Sequence, residues 1–283
     1  MIVVSSGSTG FAVLRREANE GGFFRPIVKE VVEMLRVFFK FNRRLLGDLC
    51  RCALRSLSRY FEAAVSACTH GNNDSMSVVT GSALTPGVIA AIQTFGDRIN
   101  LHVHLHFLVT EGGVDEAGFF HKIPRIDDLR LAEIFAREVL AMLVRKELLS
   151  PKWAERILSW PHSGFNVHSL VRAKTKPEAE RVGKYMLRPV LALDRLSFLE
   201  QEGKVGYRWG RDGAEQETEV MDYLEFIARV TSHIPDKGQV IVRYYGLYAN
   251  AHRGKVKKAS LSPSVFRLIE EDLKRNSPSA GGR

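Results

Sequence analysis

The sequence predicts an α+β fold, an antiparallel sheet with flanking helices, and three observations predict it. Asn100-Leu101-His102-Val103-His104-Leu105-His106-Phe107 alternates polar and apolar residues at strand period, and Gly112-Gly113 reads as the turn that ends the strand. The apolar run from Gly87 to Gly96 precedes it across Asp97-Arg98-Ile99, a connection so short that the two strands form an antiparallel hairpin. Between Asp127 and Leu149, Leu131, Ile134, Phe135, Val139, Leu140, Leu143 and Leu148 recur at helical spacing.

In chain order, residues 1–23 mix Ser, Gly and charge without periodicity and read as a poorly ordered lead-in. From Asn42 onward, Leu45, Leu46, Leu49, Ala53, Leu57, Phe61 and Ala64 mark a helix whose other faces carry Arg43, Arg44, Arg51, Arg55 and Arg59. Residues 24–74 thus form a basic helical region, its arginines either facing solvent or holding phosphate. His70 to Ser75 is a loop by composition. Gly164 to Val171 returns to strand character, with Asn166, His168 and Leu170 on one side. Thr175-Lys176-Pro177-Glu178 is a helix start with Thr175 as N-cap, and the helix stops near Arg188, before Pro189. Ala179, Val182, Met186 and Leu187 form its apolar stripe; Tyr185 lies off that stripe, among Arg181, Lys184 and Arg188. Leu196 to Trp209 reads as a hairpin turning at Glu202-Gly203, Val220 to Val230 as a helix, and Gln239 to Tyr248 as a strand. The basic run after that strand contains Arg253 and Lys255. Aromatics beside basic residues suit single-stranded nucleic acid, although an ordinary strand leading into a charged tail has the same composition.

Bulk properties exclude several classes. No apolar run approaches the roughly 20 residues of a membrane span, and Met1-Ile2-Val3-Val4 lacks the charged leader of a secretory signal, so the expected location is cytoplasmic. Three cysteines, Cys50, Cys52 and Cys68, do not make a disulfide framework, and Cys50 and Cys52 point apart on a helix. A net charge of +9 and a pI near 9.6 favour an anionic partner, with nucleic acid the commonest.

Strand alternation projects His102, His104 and His106 from one side and packs Val103, Leu105 and Phe107 on the other. Three imidazoles on one face make a metal-site geometry, but the geometry does not choose a reaction. His168, on the strand that begins at Gly164, is a further histidine that could complete a coordination sphere.

Leu45-Leu46-Gly47-Asp48-Leu49, Gln93-Thr94-Phe95-Gly96-Asp97, His104-Leu105-His106 with Leu108-Val109-Thr110-Glu111-Gly112, Gly164 to His168, Lys184-Tyr185-Met186-Leu187-Arg188-Pro189 and Arg243-Tyr244-Tyr245-Gly246 occur in that order. In series they resemble the rolling-circle insertion-sequence transposases of the insertion-sequence-ninety-one and common-region type, within the HUH single-strand endonuclease superfamily. The resemblance covers roughly 24–258. It implies a ferredoxin-like or RRM-like palm over 75–258, with 259–283 a C-terminal helix and tail. It assigns a divalent metal, Mg²⁺ or Mn²⁺, to His104 and His106 and the nucleophile to Tyr185; His168, Glu111 and His102 are the candidates, in that order, for the third ligand. Arg181, Lys184, Arg188, Arg243, Arg253 and Lys255 are the expected DNA contacts. The implied partner is single-stranded DNA at transposon ends, with a host helicase as a candidate second partner. Arg181 stands where some members carry a second tyrosine, so the single-tyrosine branch is the better match. Members commonly begin with a Cys/His-rich zinc-binding module whose ligands residues 1–22 do not supply, so the expectation is a catalytic body without it. Two alternatives stay open: a non-catalytic DNA-binding remnant, and a metal hydrolase using the histidines with an activated water.

Overall fold

The computed structural model describes residues 24–69, 84–116, 118–123, 125–161, 163–169, 173, 175–210, 216–252 and 254. The expected lead-in, the loop at 70–75, Arg253, Lys255 and the C-terminal tail lie outside these residues.

The main sheet is built from β1 (Phe24–Glu30), β2 (Thr85–Phe95), β3 (Leu101–Val114), β5 (Asn166–His168) and β9 (Val242–Gly246), in the order β5-β1-β3-β2-β9, with β4 (Phe120–Lys122) paired to the far end of β3. Every pairing is antiparallel. Two helices make the long connections: α2 (Leu45–Thr69), which follows the short α1 (Arg36–Phe41) and leads from β1 to β2, and α3 (Asp128–Arg145), which leads from β3 to β5 by way of α4 (Pro151–Leu158). The series β1-α2-β2-β3-α3-β5 is the ferredoxin-like split βαβ, and β9 widens it by one edge strand. Because β1 pairs with β3 from Phe24↔Thr110 to Glu30↔His104, residues 24–30 belong to the sheet, and the expected boundary at 74 divides one continuous core.

The pleat of β3 sets both faces. Val103, Leu105, Phe107 and Val109 are wholly buried on the side covered by α2 and α3. On the other side Leu108 joins Ile89, Ala91 and Tyr248 beneath α5 (Lys176–Met186), whose Ala179 and Met186 pack down. Leu187, assigned to that stripe from spacing, is the C-cap and is exposed. Gly112-Gly113 is not a turn: β3 runs through to Val114, and a Cβ on Gly112 would stand 2.0 Å from the His121 carbonyl oxygen across the β4 pairing. Side-chain-free backbone is needed there for strand approach, not for reversal.

Helix α2 packs against both the sheet and α3, so its buried face is wider than one stripe and takes in both Cys50 and Cys52. Its arginines are matched within the chain. Arg51 pairs with Asp48, and Arg55 and Arg59 both reach Glu138 of α3. Arg43 donates to the Ser232 carbonyl. The basic face of this helix therefore has a structural use.

A second sheet, β6 (Leu196–Leu199), β7 (Lys204–Trp209) and β8 (Glu217–Asp222), turns at the left-handed Gly203 as its composition predicts and packs against α6 (Tyr223–Thr231). Its small core includes Ile99, from the turn between β2 and β3. Ile99 has φ +56°, a conformation that a β-branched residue adopts at a cost of about 1–3 kcal/mol. Burial of its side chain beside Tyr207 and Met221 offsets that cost. Among the described residues no helix is long and apolar enough to cross a membrane.

Lys29 is fully buried between sheet and helices, donating to the Ala53 carbonyl at 2.9 Å and Ser56 Oγ at 2.6 Å, with its ammonium over the Phe107 and Phe135 rings. Burial lowers its pKa from 10.5 to about 7. Between those values the unfolded chain binds more protons than the folded one, so stability rises with pH. The buried thiols of Cys50 and Cys52, raised from 9.0 to about 12 and about 11, work in the opposite direction above pH 9. Urea unfolding should therefore show stability rising from about pH 7 to about pH 9, by at most about 1.4 kcal/mol per pH unit, with Lys29→Met removing the slope. A variant that keeps the wild-type slope would show that Lys29 is not its source.

Candidate active site

The histidine strand lies between β1 and β2, so alternation leaves His102, His104 and His106 on the face opposite α2 and α3. Their rings and that of Tyr185 form one row, with successive centroids 4.9, 4.8 and 5.5 Å apart, each pair meeting edge to face. His104 and His106 are buried beneath α5.

His104 Nδ1 lies 2.8 Å from the carbonyl oxygen of His102. A carbonyl only accepts, so Nδ1 carries the proton and Nε2 keeps its lone pair. His106 Nε2 is buried with no hydrogen-bond partner. Burial lowers His104 to about 4 and His106 to about 3, leaving both neutral at pH 7, the form that ligates metals.

Gln93 completes this arrangement. It is the β2 residue paired with His104 and is 4% exposed. Its Nε2 donates to the Met186 carbonyl at the end of α5 at 2.9 Å, while its Oε1 is buried without a partner. Orphaned buried acceptors cost roughly 1–3 kcal/mol each. The Gln93 oxygen and the His106 nitrogen on one sheet face are what a cation would satisfy, so the residues present fit the divalent metal expected for this fold.

The expected further ligands are held elsewhere. His168 shares the face, since it pairs with Val28 and Val28 with His106, but the full width of β1, roughly 10 Å across two strand spacings, separates the two histidines, and His168 is exposed. Glu111 falls on the opposite face by alternation and pairs with Arg25 at 3.3 Å. His102 Nε2 lies 3.4 Å from Glu30, whose carboxyl is held down to about 2, first by that hydrogen bond. Asn166 donates to the other oxygen of Glu30. Among the described residues no three His, Cys, Asp or Glu side chains converge to hold a metal. The amide oxygen of Gln93 is a candidate donor that counting imidazoles and carboxylates misses.

Tyr185 is set by its helix. Thr175 caps α5, accepting from Glu178 N, and the buried Ala179 and Met186 fix which side faces down. Tyr185 is 54% exposed, its ring against His106. Arg181 and Lys184 are exposed on the same helix. Arg188 binds Asp97 at 3.0 Å and lies over the Tyr185 and Phe95 rings. Arg243 is not at this site: it pairs with Ala90, whose side chain belongs to the other face, and packs over Gly47 of α2.

The fold and this face thus define a ferredoxin-like protein with two buried neutral imidazoles opposite an exposed tyrosine. The family described as "Putative transposase" matches residues 87–256, more than half of the chain, and the chain belongs to that transposase family. It is 26% identical over 242 residues to the transposase for insertion sequence element IS801 of Pseudomonas savastanoi pv. phaseolicola, covering 80% of this chain and 54% of that protein. It is also 28% identical over 190 residues to the protein named "Putative transposase y4qJ" of Sinorhizobium fredii (strain NBRC 101917 / NGR234), covering 59% of this chain and 47% of that protein. The chain spans about half the length of these curated relatives. No solved structure matches it.

A histidine-detected NMR titration should find two imidazoles that stay neutral as pH falls from about 7 to about 5, where an unperturbed histidine charges near 6.5. Their signals should be the ones lost in His104→Ala and His106→Ala. Ordinary titration of both would contradict the buried geometry.

Proposed function

We propose that the protein nicks and rejoins single-stranded DNA at the ends of a transposon, with Tyr185 as nucleophile, as rolling-circle transposition requires. The observation that carries this reading is the exposed Tyr185 ring standing 5.5 Å from His106, whose Nε2 has no partner. Membership of a transposase family supports it.

His104, His106 and the Gln93 amide oxygen would hold the divalent cation, Mg²⁺ or Mn²⁺. When bound, the cation supplies positive charge to a non-bridging oxygen of the scissile phosphate. Imidazole ligands suit Mn²⁺ better than Mg²⁺. Arg181 and Lys184 lie beside Tyr185 on α5 and offer charge to flanking phosphates.

The Tyr185 oxygen attacks phosphorus, forming its O–P bond as the P–O3′ bond breaks. The phenolic proton passes to solvent and the departing 3′-oxygen takes one up, giving a 5′-phosphotyrosine and a free 3′-hydroxyl. One phosphodiester replaces another, so the 3′-hydroxyl rejoins the strand by the reverse attack without ATP. A single tyrosine performs each transfer, since Arg181 occupies the position one helical turn earlier. The substrate strand must already be unpaired, which gives a host helicase its part.

Purified full chain incubated with labelled single-stranded DNA from the element's ends and Mn²⁺ should give a covalent adduct on a denaturing gel. Tyr185→Phe should abolish it; an adduct that persists would overturn the nucleophile, and cleavage without an adduct would indicate a hydrolase. By calorimetry, His106→Ala and Gln93→Ala should each weaken Mn²⁺ binding by about tenfold or more, while His168→Ala should leave it unchanged. Loss of binding in His168→Ala would restore that residue as the ligand.

A further inference from the structure

Three contacts converge where α5 ends. Gln93 Nε2 donates to the Met186 carbonyl at 2.9 Å, a helix-terminal acceptor that has no partner within the helix. Asp97, four residues along in the turn between β2 and β3, binds Arg188 at 3.0 Å. The Arg188 guanidinium in turn lies over the rings of Tyr185 and Phe95, 5.4 and 5.6 Å from their centroids. The tyrosine thus stands immediately before two points, Met186 and Arg188, at which the end of its helix is fastened to the hairpin that carries Gln93 and leads into the histidines.

The turn itself is held rigidly. Gly96 and Asn100 close it through the Gly96 N to Asn100 O bond, and Ile99 N donates to Gly96 O. Ile99 is kept left-handed by its buried side chain, and its carbonyl accepts from His233 Nε2 at 3.1 Å. His233 Nδ1 accepts from the Thr94 hydroxyl at 3.1 Å, so one imidazole joins β2 to its own turn. Asp97 is therefore presented to Arg188 from a fixed support, and the second sheet, through Ile99, is part of that support.

We infer that Asp97 is a positioning residue: acting through Arg188, and together with Gln93, it clasps the end of α5 to the β2–β3 turn and fixes the Tyr185 ring against His106. The inference rests on the proposed role of Tyr185 as nucleophile. It assigns Arg188 a use different from the DNA contact expected of it from sequence. The Asp97 and Arg188 side chains are 55% and 31% exposed, so the pair contributes little to global stability. What it contributes is placement, on which transfer rates depend steeply.

Asp97→Asn, Arg188→Gln, their double variant and Asp97→Glu, each in the full chain, test this. Without DNA or metal, amide exchange at Leu187 and Arg188, whose N–H groups bond to the Lys184 and Tyr185 carbonyls, should speed up in both single variants and stay near wild type in Asp97→Glu. With single-stranded DNA and Mn²⁺, both single variants should form adduct on the order of tenfold to a hundredfold more slowly. The double variant should be no slower than the worse single one. DNA affinity and its salt slope should hold steady. Unchanged exchange in Asp97→Asn would overturn the clasp, and a salt slope lowered by about one in Arg188→Gln alongside that normal exchange would make Arg188 a phosphate contact instead. If the wild type forms no adduct, the nicking reading fails while the exchange result still decides the clasp.

Discussion

The period of two along β3 is the constraint on which the rest depends. A strand hydrogen-bonded on both edges cannot slip by one residue without moving every side chain to the other face. Here a slip would expose Val103, Leu105, Phe107 and Val109, all wholly buried, and would drive three imidazoles into the apolar space beneath α2 and α3. At about 1.5–3 kcal/mol for each large apolar side chain, the penalty far exceeds any local preference. The face carrying His104 and His106 is thereby specified by residues that take no part in its chemistry.

That constraint explains what could be read in advance. The histidine strand, the hairpin with β2, the capped helix bearing Tyr185 and the long helix at 128–145 all follow from periodicity, capping chemistry and short connections. The same alternation places Glu111 off the histidine face, against its rank as the second expected third ligand. What periodicity does not encode is which strand lies beside which. β1 carries no strong alternation in Phe24 to Glu30, with Arg25 and Lys29 on its inward side, and its place inside the sheet, between β5 and β3, depends on long-range pairing. The distance of His168 from His106 has the same origin, since β1 lies between their strands. Gln93 went unassigned because an amide oxygen becomes a candidate donor only once register sets it beside His104 and burial deprives it of water.

Charge shows the same division between composition and arrangement. A net charge of +9 points to an anionic partner, but much of the arginine content is matched within the chain. Arg55 and Arg59 share Glu138, Arg51 pairs with Asp48, and Arg243 packs over Gly47 on the face remote from Tyr185. Arg181 and Lys184 differ because they stand exposed on α5 itself. Position relative to the tyrosine, more than the total, distinguishes the cations suited to meeting a phosphate.

The bond from His104 Nδ1 to the carbonyl of His102 has a consequence for how this protein tolerates sequence drift. The acceptor belongs to the main chain of the same strand, so no replacement of a neighbouring side chain deletes it, and only loss of the strand would. In many metal sites the tautomer of a ligating histidine depends on a separate carboxylate that mutation can remove. Here the orientation of one imidazole is inherited from the sheet itself and is complete as soon as β3 has paired. Copies of this chain that diverge widely at other positions would still present that nitrogen in the same direction.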